Sequence, residues 1–565
     1  MNTPQERPGG VAAAVAPRQE FAGAGVPVRG GGVLAACSIL LLTAVLALVW
    51  SHARLMWNDE FLSFYSDSVP TLAGVLRVQM HSPISLDPPA YHLLSHLSMD
   101  VVGRGGTALR LPALCGFLLL EWSLFLLVRR IAGHRAALLA MALPLCTASF
   151  RYAVEGRPYG LLLGLYAAAV VCWYFATQSD QRTDGGTEMP RSRWVPLLGL
   201  FLSIALAITS HYFGLLILLP VSAGELVRTV QRRRFDWPVV GTLAAGLASV
   251  ALILPGKAAL QPYQRHYYTS SVNLHNVSQG YRELFVRYNT WPVPLQRVCA
   301  AMLALLTVWL LWAMVRRLRQ GAAKNEPSAF WAAMLALAVL PFFGYLFGKF
   351  VTHTMEVRYV IAALIPFAVS IALLLERRLR SARFFYGALG AVVALAVVLS
   401  MVQIRAEQRR SEGILRGMKI TGPLHDLLVR DPARRLYTQS LGDFFLDGYY
   451  APDPVMRERM TLVYDEGSEV RWLHHNTNAV TAVNLQKFTR LPTVPYPQML
   501  TTTGALLLDY RSGWEWIGDD LCTRGVFTEN LGAQAGAMLF QLQPTPYQSA
   551  VGPAPADSTC GVSAR

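Results

Sequence analysis

Asp59 and Glu60, in the run WNDEF, stand just beyond the first long apolar stretch of the chain, on the far side of that stretch from a basic N-terminal tail. Two adjacent carboxylates beside a bilayer are costly unless they bind a cation or handle a proton, so the pair is a functional candidate. An acidic pair in this position could also cap the helix that follows. Three further clusters bring charged groups together. FRYAVEGRPYG carries Arg151, Glu155, Arg157 and Tyr159, SHYFG carries His211 and Tyr212, and THTMEVRYVIAALIP carries His353, Glu356, Arg358 and Tyr359. Each has a structural alternative: Glu155 and Arg157 could be an ion pair between two helices, and a His-Tyr pair in a tight turn could be an interfacial anchor.

The elements that must position these groups follow from composition. Apolar residues make up 53% of the 565 and charged residues only 15%, and the mean hydropathy is +0.34, which excludes an ordinary soluble enzyme. Long apolar runs recur at roughly 33–51, 108–128, 135–150, 159–177, 195–210, 212–228, 238–256, 297–315, 329–349, 358–376 and 384–403, about eleven candidate spans. The first ends in LALVWSHARLMW without a small-residue cleavage site, so it reads as a retained helix. Residues 1–32, rich in Gly, Ala and Pro, read as a disordered tail.

Arginines set the orientation. With the N-terminus in the cytoplasm, VRRIAGHR, the 178–194 loop, QRRRF, RRLRQ and ERRLRSAR all fall on that side. The long loops 52–107 and 257–296 and the segment 404–565 fall outside. All four chemical clusters then lie on the outer face. The net charge of +15 is explained by this asymmetry and does not indicate nucleic-acid binding. Within 52–107, apolar positions recur at helical spacing from Phe61 to Met80 and from Tyr91 to Met99, predicting interfacial helices that hold Asp59, Glu60, His81, Asp87 and His92 near the membrane surface. Pro88-Pro89 should end one helix and begin another.

The outer segment reads as a mixed α/β domain, with short strands at 435–440, 461–465, 504–510 and 537–542 and an amphipathic helix at 411–430. It shows no nucleophile elbow, phosphate loop or metal motif. Only Cys522 and Cys560 fall in it, and a disulfide between them is plausible in an oxidising compartment.

The order WNDEF, DPPAYHLL, LRLPALCGFLLLEWSLFLLVRRIAGHRAALLAMALPL, EGRPYGLLL, SHYFG and RYVIAALIP resembles the GT-C polyprenyl-phosphate-sugar glycosyltransferases. The nearest branch holds bacterial protein O-mannosyltransferase-like, aminoarabinose and galacturonic acid transferases. The resemblance covers 33–403, a membrane catalytic domain, and implies an α-helical polytopic fold with the α/β domain of 404–565 outside. It implies an inverting transfer of sugar from a lipid phosphate to a glycan, lipid or protein acceptor at the outer face of the plasma membrane, with Asp59 as the base. Glu60 and Glu155 would orient the acceptor, and Asp59 with Glu60 could hold a divalent cation (Mg, Mn or Zn). Arg157, His211 and Arg358 would receive the phosphate, and Tyr159, Tyr212, Tyr359 and His81 would complete the substrate site. No nucleotide cofactor is expected. The chain departs from many relatives at Asp87, where they carry His or Lys, so no phosphate-binding role is carried over there. A transporter or a non-catalytic envelope-assembly protein are the alternatives; the first would place ionisable groups and broken helices near the midplane.

Reactive cysteines placed at positions 185, 320 and 380 are expected to label from the cytoplasm and ones at 75, 275 and 480 from outside. A cytoplasmic position 480 would overturn the orientation.

Overall fold

The computed structural model describes residues 31–180, 191–263, 266, 268, 271–285, 293–320, 328–510 and 514–546. Nearly all of the expected N-terminal tail, much of the 178–194 loop, and Cys560 lie outside these residues.

The first span is α1 (Gly31–Ala53), apolar on every side. The loop after it folds, as its periodicity demands, into short helices: α2 (Asn58–Asp67), α3 (Leu72–His81) and α4 (Pro89–Val102). The single helical run expected between Phe61 and Met80 is broken at Pro70, which cannot continue a helix and restricts the residue before it. Thr71 then caps α3 by accepting from the Gly74 amide at 3.0 Å, and Pro89 occupies the first turn of α4, where its missing N–H costs nothing.

The next helices are α5 (Gly106–Ala142), α6 (Tyr159–Asp180), α7 (Arg191–Ser210), α8 (Leu218–Arg232) and α9 (Trp237–Ala248). Gly133, at φ 87°, interrupts α5 and separates the two runs that the sequence marks there. The α5 and α6 backbones are in direct contact: a Cβ on Gly164 would sit 2.0 Å from the Gly116 carbonyl oxygen, and one on Gly116 would sit 2.2 Å from Leu161 Cα. Small residues permit this approach, as in other membrane helix pairs. It draws the start of α5 against the start of α6, where the candidate residues lie.

Further along are α10 (His275–Phe285), α11 (Val293–Gln320), α12 (Ser328–Ala338), α13 (Leu340–Phe347), α14 (Leu364–Arg378) and α15 (Ala382–Gly417). Each of the eleven apolar runs lies on helical structure. Among the described residues, six helices are long and apolar enough to cross a membrane, or eight if each of two sharply bent pairs is one span. Residues 357–363, expected to open a span, form two short 3-10 turns ahead of α14. Arg358 therefore projects from an irregular segment between helices.

The C-terminal region is an α/β unit with strands β1 (Leu436–Thr438), β2 (Met460–Tyr464), β3 (Thr493–Pro495), β4 (Leu506–Asp509), β5 (Val526–Gln534) and β6 (Ala537–Pro546). Their order is β3-β2-β1-β4-β6-β5. β1 runs parallel to β2 and β4, and β2 to β3, while β6 is antiparallel to both β4 and β5. The four expected strands are present. The helix expected over 411–430 is instead the end of α15 and a separate α16 (Pro423–Arg430), divided at Gly422, whose φ of +64° favours glycine. After β1, α17 (Leu441–Tyr450) lays an aromatic face on α2: Phe61 meets Phe445 at 5.6 Å and Tyr449 at 5.7 Å between ring centroids. Tyr450 accepts from the Met56 amide at 3.1 Å. Met56, Phe61 and Phe64 consequently share one buried cluster with Leu441, Phe444 and Phe445, so the C-terminal unit is fused to the loop that carries Asp59.

Candidate active site

Glu60 and Arg110 form the foundation of the site. Both are buried, at 0% and 2% side-chain exposure, and the pair is bidentate: Arg110 Nε donates to Oε1 and Nη2 to Oε2, each at 2.7 Å. Glu60 Oε1 also accepts from the Gly156 amide at 2.6 Å, and Oε2 from the Trp57 amide at 3.3 Å. Arg110 spends its remaining donors on carbonyls at the end of α1, Ser51 at 2.7 Å, Arg54 at 3.0 Å and Leu55 at 3.2 Å. Burial opposes the charge on Glu60, but Arg110, Arg54 and the Gly156 amide outweigh it and hold the carboxyl below its ordinary range. One ion pair thus ties α1, α2, α5 and the turn before α6.

Glu60, expected to orient the acceptor or to share a cation with Asp59, has each oxygen engaged by Arg110 and by a backbone amide. Among the described residues no group of three His, Cys, Asp or Glu side chains is placed to hold a metal ion.

Asp59, the adjacent residue, points the other way. Its side chain is 21% exposed and Oδ2 lies 3.5 Å from Arg358 Nη2. Arg358, 26% exposed, is boxed by the rings of Trp57, Tyr159 and Tyr359, whose centroids lie 5.4–5.9 Å from its guanidinium carbon. Its Nε is buried with no hydrogen-bond partner.

Arg157 is placed differently from the sequence reading. Its partner is Asp87, at 2.7 Å, and not Glu155. Nη1 donates to Ser85 Oγ at 2.8 Å, Ser63 Oγ at 3.2 Å and the Asp59 carbonyl at 3.4 Å. Burial opposes ionisation of Asp87, yet Arg157, with His211, His92 and Arg358, keeps its carboxyl below the usual range. His211 lies 3.7 Å from Asp87 through Nε2, while Nδ1 accepts from the Phe213 amide at 3.1 Å. Burial pushes its pKa down to about 4, against the pull of Asp87 and with the push of Arg157 and Arg358. His211 is therefore neutral near pH 7 and can offer an N–H but no cation to a phosphate. Tyr359 stacks on it at 4.8 Å and Tyr159 at 5.6 Å.

Glu155 is buried within the field of Arg54, Arg151 and Arg358, and burial raises its pKa despite them. Tyr212 joins Asp87 at the wall of a small cavity. His81 stands apart: it is exposed at the end of α3, with Nδ1 3.1 Å from the Arg77 carbonyl of its own helix. His92 fixes α4 against α2, its Nδ1 2.6 Å from Asp67 Oδ1 in a fully buried contact. The sequence reading passed over Arg110, although an arginine in LRLP at the mouth of an apolar run is the partner a buried carboxylate requires. It also left Asp87 without a role.

The chain matches the profile of the family described as dolichyl-phosphate-mannose-protein mannosyltransferase over residues 87–256, a stretch that contains Asp87, Arg157 and His211. Its fold is similar to that of ArnT from Cupriavidus metallidurans, solved bound to undecaprenyl phosphate, with a TM-score of 0.51 at 13% identity over 94% of this chain and 100% of that one. At that identity the likeness is one of fold. Other solved proteins align more loosely. They include the Archaeoglobus fulgidus oligosaccharyltransferase AglB, in complex with an inhibitory peptide and a dolichol-phosphate (TM-score 0.42, 10% identity, 93% of this chain and 75% of that one). The S. cerevisiae Pmt1-Pmt2 complex aligns over 47% of this chain and 38% of that one, with a TM-score of 0.28 at 15% identity. No curated protein matches by sequence.

Glu60→Gln should act on the fold. Removing one charge of a buried pair costs about 3–5 kcal/mol, so the variant is expected to melt well below wild type in detergent and to accumulate poorly. A Glu60→Gln protein of unchanged melting temperature would contradict the foundation role.

Proposed function

We propose that this protein is an inverting glycosyltransferase that moves a sugar from a polyprenyl-phosphate donor to an acceptor on an envelope glycan, lipid or protein. In this reading it lies in the plasma membrane with the site on the outer face. The observation that carries the reading is the Asp59–Arg358 contact: a partly exposed carboxylate and a partly exposed guanidinium, 3.5 Å apart, beside a carboxylate that is wholly consumed by structure.

At that distance the contact is a loose ion pair in a solvent-reached position, where such pairs contribute little. A donor phosphate competes for Arg358, whose planar fork offers bidentate hydrogen bonds and whose Nε is unpartnered. Capture of the phosphate frees Asp59 for the acceptor. The acceptor O–H oxygen then attacks the anomeric carbon, its proton passes to Asp59, and the bond to the phosphate oxygen breaks, leaving polyprenyl phosphate on Arg358. The neutral His211 N–H and the phenols of Tyr159 and Tyr359 supply polarity around the leaving group without adding charge. Arg157, tied to Asp87, Ser85 and the Asp59 carbonyl, holds the base in place. Glu155, buried and raised in pKa, suits a positioning role for the acceptor better than that of base.

A transporter shares two features with this chain, the bent spans and a carboxyl midway along a span, Glu121, which accepts from Thr43 at 2.8 Å. It has no use for an outward base beside an arginine box.

The reading is tested with purified protein in detergent, undecaprenyl phosphates bearing radiolabelled hexosyl or pentosyl groups, and an envelope extract as acceptor. Asp59→Asn keeps the side-chain volume and should melt as wild type does, while transfer falls by on the order of 10² to 10⁴. Undiminished turnover would remove Asp59 from the chemistry. Arg358→Lys keeps the charge but loses the fork, and should raise the apparent donor constant more than the acceptor constant. Equal effects on both, or on yield alone, would assign Arg358 to structure.

A further inference from the structure

Two buried N–H groups beside Asp59 have no hydrogen-bond partner among the described residues. One is Nε of Arg358 and the other is Nε1 of Trp57, two positions before Asp59 in the chain. They belong to one contact, because the Arg358 guanidinium carbon lies over the Trp57 ring, 5.7 Å from its centroid. Neither can satisfy the other, since an indole and a guanidinium carry donors only. Native folds leave few buried donors unpaired, because each has lost water without gaining an acceptor. Both side chains are partly exposed, so a ligand reaches the contact once Asp59 and Arg358 part. Trp57 is also held still. Its amide donates to Glu60 Oε2 at 3.3 Å, which ties it to the buried Glu60–Arg110 pair.

The pair of donors selects an anion with several oxygens. A neutral oxygen could accept from either N–H, but only an anion replaces the charge of Asp59 at the guanidinium, and Arg54 and Arg151 add to the positive field at this end of the molecule. A tetrahedral phosphate can present one oxygen to the guanidinium and another to the indole. We propose that Trp57 is a second donor to the phosphate of the lipid-linked sugar, its indole N–H bonding an oxygen that Arg358 does not take. The inference rests on the donor reading given above and adds a residue to it. In the transfer the acceptor oxygen bonds the anomeric carbon and its proton passes to Asp59. The bond from that carbon to the phosphate oxygen breaks, and its electron pair stays on the phosphate, whose negative charge grows. A fixed N–H therefore stabilises the departing phosphate more than the bound diester, and costs no reorganisation as that charge appears. The structural alternative is that Trp57 only lends its ring face to the Arg358 cation.

The test measures binding of undecaprenyl phosphate, and of undecaprenol as the same chain without phosphate, to the full-length protein in detergent. Two variants are compared with wild type. Trp57→Phe keeps a ring for Arg358 and loses the N–H. Replacing Trp57 with benzothienylalanine, inserted at an amber codon, keeps the area and face of the indole and exchanges only the N–H for sulfur. Both should bind undecaprenyl phosphate about ten- to a hundredfold more weakly, the loss expected for a hydrogen bond to a charged group, and bind undecaprenol as wild type does. The benzothienylalanine protein should melt no lower than wild type, because only an unpaired buried donor has gone. If that protein binds undecaprenyl phosphate as tightly as wild type, the assignment is overturned, and a weakened Trp57→Phe beside it would leave Trp57 with the ring role alone. Equal weakening of both lipids, or a lower melting temperature for the benzothienylalanine protein, would overturn it as well. Wild type that binds undecaprenyl phosphate no better than undecaprenol would overturn the donor reading itself.

Discussion

The buried pair of Glu60 and Arg110 is the constraint on which the outer end of the molecule depends. Two charges removed from water are tolerated only when geometry and further hydrogen bonds compensate their desolvation. Here the compensation comes from three separate places: the last carbonyls of α1, the amide before α2 and the Gly156 amide ahead of α6. Because every partner lies on a different element, the pair holds those elements in register. Asp59 inherits its position from this frame, one residue away and on the opposite side of α2.

The carboxylates and arginines at the site divide into two kinds by exposure. Glu60 with Arg110 and Asp87 with Arg157 are closed pairs, almost without solvent and at 2.7 Å. Asp59 with Arg358 is open, longer and partly solvated. Closed pairs resist exchange because parting them strands a charge in a medium that cannot solvate it. The open pair can part when a substrate supplies replacement interactions. The difference between closed and open pairs therefore rests on burial, while the residue types are the same in both.

The C-terminal α/β unit takes part in this frame. Its α17 presses Phe445, Tyr449 and Tyr450 onto Phe61 and Phe64 of α2, the helix that carries Asp59 in its first turn. Rings in offset or edge contact contribute area and orientation together. The start of α2 is held between the α1–α5 ion-pair frame and this aromatic layer, and a Cβ on Gly442 of α17 would stand 3.7 Å from Asn58 Cβ.

Much of this was legible in the chain itself. Apolar run lengths located the helical segments, Pro88-Pro89 located the start of α4, alternation located four strands of the sheet, and the order of WNDEF, EGRPYG, SHYFG and RYVIAALIP brought Asp59, Arg157, His211 and Arg358 together before any coordinates. These are local signals, each set by a span's need to satisfy its own backbone or by one strand's period. What the sequence could not decide was partnership. Asp59 and Glu60 are chemically near-identical neighbours, and only the approach of Arg110 from α5 makes one a strut and leaves the other free. Arg157 has Glu155 two residues away, yet pairs with Asp87 from a distant loop, because the close glycine contact of α5 and α6 and the turn before α4 bring that carboxylate nearer. Ion pairing depends on distance and on the loss of water between groups, and both are properties of the packed chain.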